Sequence, residues 1–466
     1  MITVKKFTLG CLMSLCVTAC GGGGDGGGGA VNPIAIADSR PSTPAPWTTI
    51  ELRASIDLPS IGIQPGFSTY QIVKTADLNQ DGHDDLILTG QTLYPGLAPA
   101  GGAYTANVPF HKLPVLILYF NAQTGKFEPD ARDDRPLMYT GASVSVQDWN
   151  RDGRLDILVV GTGPDQGYSC GEPMTLLLNT AQGFRNRSEL LPAVSYRREM
   201  VIEIDLDQDG YKDLYLLDTG AQISPGTDTT KCPYRSLPGL DKEIEIIGSN
   251  TGPIVQIPWY NPLSKHGQVM GAVVRDVDLD GDEDLILTIY DVQNIRSRIE
   301  IYQNRGRIFN QTTSNQFILA RVSDWSQNLM FGSLAYTDKG LRVLTTNPDY
   351  SNPYHIVFNA DSLVQVNKEY QGQFQDLGGC TEFRQWDLNG DNILDLECRN
   401  LVRYTSGLRM PRAWITTDKG LEAIDLTAIP TDHGQSFQSA RFQGRRHFVY
   451  LGPYLGGPSL TIYSLK

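Results

Sequence analysis

Asp77-Leu78-Asn79-Gln80-Asp81-Gly82-His83-Asp84-Asp85-Leu86 is a short acidic stretch that returns four more times along the 466-residue chain. The other copies are Asp148-Trp149-Asn150-Arg151-Asp152-Gly153-Arg154-Leu155-Asp156-Ile157, Asp205-Leu206-Asp207-Gln208-Asp209-Gly210-Tyr211-Lys212-Asp213-Leu214, Asp276-Val277-Asp278-Leu279-Asp280-Gly281-Asp282-Glu283-Asp284-Leu285 and Asp387-Leu388-Asn389-Gly390-Asp391-Asn392-Ile393-Leu394-Asp395-Leu396. All align without gaps. Asp stands at positions 1, 5 and 9, Asp or Asn at 3, Gly or Asn at 6, and Leu or Ile at 10. A single Asp-rich turn would read as a solvated hairpin, but five superposable copies define an internal repeat, and a repeat governs the whole fold.

The flanks show what each copy connects. Apolar or alternating runs such as Val201–Ile204 and Gly271–Val274 precede the loops, and runs such as Ile157–Val160 and Leu285–Thr288 follow them. Short Val-, Ile- and Leu-rich runs about a Gly-containing turn predict antiparallel strands. Further strands are expected in each unit, for example Thr175–Leu178 with Gly183–Phe184, and Arg298–Tyr302 with Arg307–Phe309. Four strands per unit is the pattern of a propeller blade. Loop starts at 77, 148, 205, 276 and 387 are 71, 57, 71 and 111 residues apart, so the last interval leaves room for a unit without a loop. Leu334–Gly340 followed by Leu341–Thr345 fits it, and Ser439–Phe442, Gln443-Gly444 and His447–Leu451 fit a final loop-less unit. The expectation is an all-β, seven-bladed β-propeller with cation-binding hairpin loops in five blades, six or eight blades being the alternatives. Trp47–Ile56 is strand-like with no unit of its own, and it is expected to pair with the C-terminal unit and so remove a free sheet edge.

The residue types in the loop suit a hard cation. Ca²⁺ takes 6–8 oxygen ligands at about 2.3–2.6 Å, and alternate side chains at positions 1, 3 and 5 can face one turn of chain. Position 7 would offer its backbone carbonyl, which leaves its identity free: His83, Arg154, Tyr211, Asp282 and Ile393 stand there. Position 9 would supply the closing carboxylate, from Asp85, Asp156, Asp213, Asp284 and Asp395. Gly or Asn at position 6 permits the positive φ of a sharp turn. Mg²⁺ suits the pattern less well because it keeps its waters. His83 reads as a carbonyl ligand with a solvated ring, not as a zinc ligand.

These loops and their flanking strands resemble FG-GAP/VCBS repeats, known from integrin α-subunit propellers and many exported bacterial proteins. The resemblance extends over about residues 47–466 and implies a propeller with up to five calcium ions along one rim. Asn392 replaces the usual Gly, and two units lack ligands altogether. The resemblance says little about activity.

The N-terminus carries a different signal. Lys5 and Lys6, the apolar stretch Phe7–Val17 and Val17-Thr18-Ala19-Cys20 read as an export signal, and the tetrapeptide resembles a lipobox, which implies acylation of Cys20 in a Gram-negative lipoprotein. The chain divides into residues 1–19 as signal peptide, 20–46 as lipidated cysteine and Gly/Pro-rich tether, and 47–466 as propeller. Gly21 after Cys20 implies outer-membrane sorting, facing periplasm or cell surface. Four cysteines remain in the folded part, and an oxidising compartment favours disulfides. Cys380 and Cys398 flank the fifth loop as cross-strand neighbours would, which leaves Cys170 for Cys232. No CxxC spacing supports a cysteine metal site.

Loss of Lys5 and Lys6 takes the net charge from −13 to −15, and five divalent ions would bring it to about −5. So acidic a surface excludes nucleic acid as a partner, since phosphate contacts need basic groups. No GxSxG, HExxH or nucleotide loop is present. The six histidines, His83, His111, His266, His355, His433 and His447, are scattered, so no catalytic residues are assigned. The resulting expectation is a monomeric, calcium-binding, lipid-anchored module that recognises a protein or glycan at the cell envelope. The insertions Gln91–Lys112, Gly161–Pro173 and Gln222–Lys242 would supply its surface. The alternatives are a polysaccharide-active lyase or hydrolase, or an outer-membrane scaffold.

Overall fold

The structure is a computed structural model. It describes residues 50–57, 68–92, 112–132, 135–139, 141–161, 163, 172–191, 195–196, 200–205, 212–217, 242–247, 255–260, 268–277, 280–291, 296–304, 317–326, 330–337, 340–346, 354–358, 365–369, 382–386, 388–389, 395–399, 412–417, 420–424, 436–451 and 459–465. All of them lie in one compact unit, Pro33–Lys466.

The described residues are almost entirely β, and they form seven four-stranded antiparallel sheets that follow one another along the chain. Sheet I contains Ser68–Ala76, Asp85–Thr92, Leu116–Asn121 and Lys126–Pro129. Sheet II contains Gly141–Gln147, Asp156–Gly161, Thr175–Thr180 and Gly183–Asn186. Sheet III runs Met200–Ile204, Asp213–Leu217, Lys242–Ile247, Val255–Tyr260, and sheet IV runs Gln268–Arg275, Asp284–Asp291, Arg296–Asn304, Phe317–Ser326. Sheets V and VI begin at Met330–Thr337 and Glu382–Trp386 and end at Gln365–Glu369 and Gly420–Ala423. In sheet VII, Ser436–Phe442, Arg445–Leu451 and Ser459–Leu465 are completed from far upstream. Ile50–Asp57 pairs antiparallel with Ser459–Leu465, from Ile50 opposite Leu465 to Asp57 opposite Ser459. Pairs of very short strands, Leu113–Pro114 with Leu137–Met138 and Glu172–Pro173 with Ser195–Tyr196, border two of the insertions.

Sheets I, II and III are covered on both faces, which explains why the strands after their loops are uninterrupted apolar runs. Asp156–Gly161 is buried throughout. Leu86, Leu88, Leu116, Leu118 and Phe127 on one face of sheet I pack with Phe442, Val449, Leu460 and Ile462 of sheet VII. Ile87 and Ile117 on the opposite face meet Val144, Ile157, Val159 and Phe184 of sheet II. The second face of sheet II, with Trp149, Leu158, Val160 and Leu176, reaches Leu214 of sheet III, and Ile202 and Ile204 of sheet III meet Leu285, Leu287 and Tyr302 of sheet IV. Each fully buried Leu or Ile contributes about 1.5–3 kcal/mol, so these seams hold the sheets in order.

The first strands lie side by side in the same order: Ser68–Ala76 against Gly141–Gln147, then Met200–Ile204, Gln268–Arg275, Met330–Thr337 and Glu382–Trp386. Ser68–Ala76 also lies against Ser436–Phe442. Lys74 in sheet I pairs with Glu203 in sheet III at 3.5 Å, so the row of first strands curves enough for sheets separated by one neighbour to touch.

The loop-less hairpins expected near 334–345 and 439–451 are present as Met330–Thr337 with Gly340–Thr346 and Ser436–Phe442 with Arg445–Leu451. The fourth strand of sheet IV is Phe317–Ser326, paired along nearly its whole length with Arg296–Asn304, and the strand expected at Arg307–Phe309 lies outside the described residues.

Candidate functional site

The acidic loops join the first and second strands of their sheets. Loops 1, 2 and 4 share one internal architecture. In loop 1 the Asp77 carboxylate accepts the N–H groups of Asp81 and Gly82, each at 2.9 Å, and Asp81 accepts the N–H of His83 at 2.9 Å. Asp148 and Asp152 do the same in loop 2 for Asp152, Gly153 and Arg154, at 2.9, 2.7 and 3.0 Å. Asp276 and Asp280 repeat it in loop 4 for Asp280, Gly281 and Asp282. The turn requires left-handed backbone at position 6, where Gly82, Gly153 and Gly281 have φ of +86°, +86° and +99°. Position 4 is also left-handed in loops 1 and 2, with Gln80 at +60° and Arg151 at +56°.

Position 9 has a structural task of its own. Asp85 is fully buried, and its two oxygens accept the N–H of Leu78, at position 2, and of Phe120 in the third strand, at 3.0 and 2.9 Å. Asp156 takes Trp149 and Asn179, Asp284 takes Val277 and Asn304, and Asp395 takes Leu388 and Thr416, all at 2.7–2.9 Å. Among the described residues this carboxylate therefore clamps loops 1, 2, 4 and 5 to the third strand of their own sheets, a role the sequence does not announce.

Clustering the carboxylates has an electrostatic cost. Burial pushes the Asp85 carboxyl up to about 8, and Asp81 and Asp77 add to the rise while the N–H groups of Phe120 and Leu78 oppose it. Burial likewise raises Asp156 to about 7, reinforced by Asp152 and Asp148. A divalent cation among Asp77, Asn79 and Asp81 would replace that repulsion by attraction.

The donor set fits such an ion in kind. Every side-chain donor is a carboxylate or amide oxygen, as hard cations require, and an oxygen that accepts one N–H keeps a second lone pair. Among the described residues no three His, Cys, Asp or Glu side chains form a ready-made metal cluster. Two of the five expected donors, the amide at position 3 and the carbonyl at position 7, are of other kinds.

The remaining expected residues divide by what is described. Asp205, Asp213, Asn389 and Asp395 are placed at the ends of their loops, whereas Asp207, Asp209, Tyr211, Asp278, Asp387, Asp391 and Ile393 lie outside the described residues, as do Cys20, Cys170, Cys232 and Cys380. Cys398 stands in the strand Asp395–Arg399, opposite Phe383. The His83 ring is not simply solvated. Its Nδ1 accepts the N–H of Gln443 at 3.0 Å, and the ring meets Phe120 edge-on at 5.4 Å.

Neighbouring loops touch, which sequence reading missed entirely. Asp84 accepts the N–H of Arg441 at 2.6 Å and donates its own N–H to the Arg441 carbonyl at 2.7 Å, which fastens loop 1 to the turn of sheet VII. Gln80 donates its side-chain amide to the Gly153 carbonyl of loop 2. Glu283 of loop 4 accepts from the N–H of Asp205 and pairs with Lys212, both of loop 3. A signal the sequence did offer is Asn179 in the third strand of sheet II, whose side-chain amide donates to the Leu78 carbonyl of loop 1.

Residues 77–159 match the family model described as an FG-GAP-like repeat. The FG-GAP-like segment thus runs from the start of loop 1 into the second strand of sheet II and contains both of the fully described loops. No curated protein matches the chain in sequence. Among solved structures, the Dos1 propeller aligns over 89% of this chain and 95% of its own, at 9% identity and a TM-score of 0.39. A Trypanosoma rangeli sialidase in complex with the inhibitor DANA aligns over 85% of this chain and 55% of its own, at 10% identity and a TM-score of 0.35. At that level of superposition neither likeness bears on ligand or activity.

Proposed function

We propose that the chain is a calcium-stabilised, seven-bladed β-propeller, lipid-anchored through Cys20 at the outer membrane and acting there as a protein- or glycan-binding module. The observation that carries the reading is the recurrence of one oxygen-donor loop, with the same internal hydrogen bonds in loops 1, 2 and 4. Consecutive face-to-face packing of four-stranded sheets, with sheet VII against sheet I, supports the ring.

In this reading Asp at position 1, Asp or Asn at 3, Asp at 5 and the carbonyl at 7 hold the ion in each loop, and the position-9 carboxylate closes the donor set while bracing the loop from behind. The ion supplies positive charge that the carboxylates otherwise lack. The loops then work as rivets, and recognition falls to the insertions between strands.

Thermal unfolding of the mature protein with and without calcium tests the metal. Each site saturated at about 100 times its Kd would add about 2.7 kcal/mol, so chelation should lower the melting temperature by many degrees. An unchanged transition would refute calcium binding. A glycan array beside a pull-down from envelope extract tests the role: a saturable sugar or protein ligand supports it, and release of product from a polysaccharide without such binding overturns it.

A further inference from the structure

Loops 1 and 2 are joined by an unbroken run of buried hydrogen bonds. Asp85, at position 9 of loop 1, accepts the N–H of Leu78 at 3.0 Å. The carbonyl of the same Leu78 accepts the side-chain amide of Asn179 at 2.9 Å. The N–H of Asn179 donates to Asp156, at position 9 of loop 2, at 2.7 Å, and Asp156 also accepts the N–H of Trp149 at 2.9 Å. Arg154, at position 7 of loop 2, fixes the carbonyl of Asn179 from the other side at 2.8 Å. A second link lies on the exposed rim, where Gln80 reaches from position 4 of loop 1 to the carbonyl of Gly153 at position 6 of loop 2.

Leu78 lies between positions 1 and 3. An ion that orders Asp77 and Asn79 must also fix the peptide planes between them, and the Leu78 carbonyl transmits that order to Asn179. Asn179 in turn holds both the ninth-position carboxylate and the Arg154 end of loop 2. Ordering one loop lowers the conformational cost of ordering the other, which is a coupling free energy between two sites.

The geometry points to Asn179 and Gln80 as couplers that make cation binding in loops 1 and 2 cooperative. The inference rests on the calcium reading and adds to it a dependence of each site on its neighbour. Neither residue is a ligand. Both act by positioning the frames of two loops against each other.

The test is a set of calorimetric calcium titrations on the full mature chain. Loop 1 is disabled by Asp77→Asn with Asp81→Asn, and loop 2 by Asp148→Asn with Asp152→Asn, each in wild-type, Asn179→Ala and Gln80→Ala backgrounds, with circular dichroism confirming the fold. In the wild-type background, disabling either loop should weaken the other by the same factor, about 5-fold or more. Asn179→Ala should bring that factor close to one, and Gln80→Ala should reduce it. Gln80 is exposed and its removal leaves the core intact, so that variant decides the matter if Asn179→Ala does not fold. Equal affinity of each loop whatever the state of the other, or a factor unchanged in the coupler variants, overturns the inference while leaving calcium binding in place. Absence of calcium heat in the wild type, with melting insensitive to chelation, overturns both.

Discussion

Asp85 shows how one side chain can serve two structures at once, closing loop 1 against Leu78 and holding the third strand through Phe120. Asp85→Ala orphans two buried N–H groups, and at about 1–3 kcal/mol each the metal-free protein should lose about 2–6 kcal/mol by chemical denaturation. Asp81→Ala, at an exposed position, should leave metal-free stability nearly unchanged and reduce only loop 1's share of the response to calcium. The raised carboxyls also set a pH signature. Asp85 and Asp156 hold their protons more tightly folded than unfolded, so their contribution is fully present below about pH 4. It is lost as pH rises through about 7 for Asp156 and about 8 for Asp85. Metal-stripped protein should therefore melt progressively lower from pH 4 to 8, and added calcium should flatten or reverse the trend; a stripped protein that gains stability over that range would contradict it. The spacing of Asp77, Asn79 and Asp81 was readable because neighbouring residues specify it. The clamp partners were not, since Phe120 and Asn179 donate through backbone that any residue carries.

Among the elements, the seam between sheets VII and I has the most distinctive packing. Phe442 stacks on Phe120 at 4.4 Å and on His447 at 3.9 Å, while Phe127 meets Phe442 edge-on. The buried His447 is held by Ser464 at 2.9 Å. Phe442→Ala should cost about 3–5 kcal/mol, read as a lower urea midpoint. Such a loss would identify this seam as a main fastening between distant parts of the chain, whereas a loss below about 1 kcal/mol would assign that role elsewhere. Hairpins such as Ser436–Phe442 with Arg445–Leu451 were legible because Gln443 and Gly444 mark a tight turn, with φ of +51° and +70°. The Asp84–Arg441 contact was not, because it spans 357 residues and leaves no periodic trace. In sheet IV the fourth strand, Phe317–Ser326, is fixed by its pairing with Arg296–Asn304.

At the scale of the molecule, order along the chain translates into order in space: from sheet I to sheet IV each packs on the next through buried apolar faces. The strand Ile50–Asp57 departs from that rule by joining sheet VII. Its removal would leave Ser459–Leu465 as a bare edge, and such edges recruit other chains. A variant lacking residues 50–57 should melt lower and elute as oligomers in size-exclusion chromatography. Monomeric, wild-type-like behaviour would show that the edge is covered in another way. The five loop-bearing hairpins could be read from the sequence because each carries its own punctuation, but the seams between sheets depend on faces of strands that no single repeat reveals.

The pairing of Ile50 with Leu465 also imposes a timetable. During synthesis the earlier strand emerges hundreds of residues before its partner, and for that interval it is a sticky ribbon with nothing to hold. Closing so large a loop is slow, and domains otherwise fold from the N-terminal side as they appear. The fold is therefore locked by its most distant handshake, and the earlier strand keeps an open edge until that handshake is made.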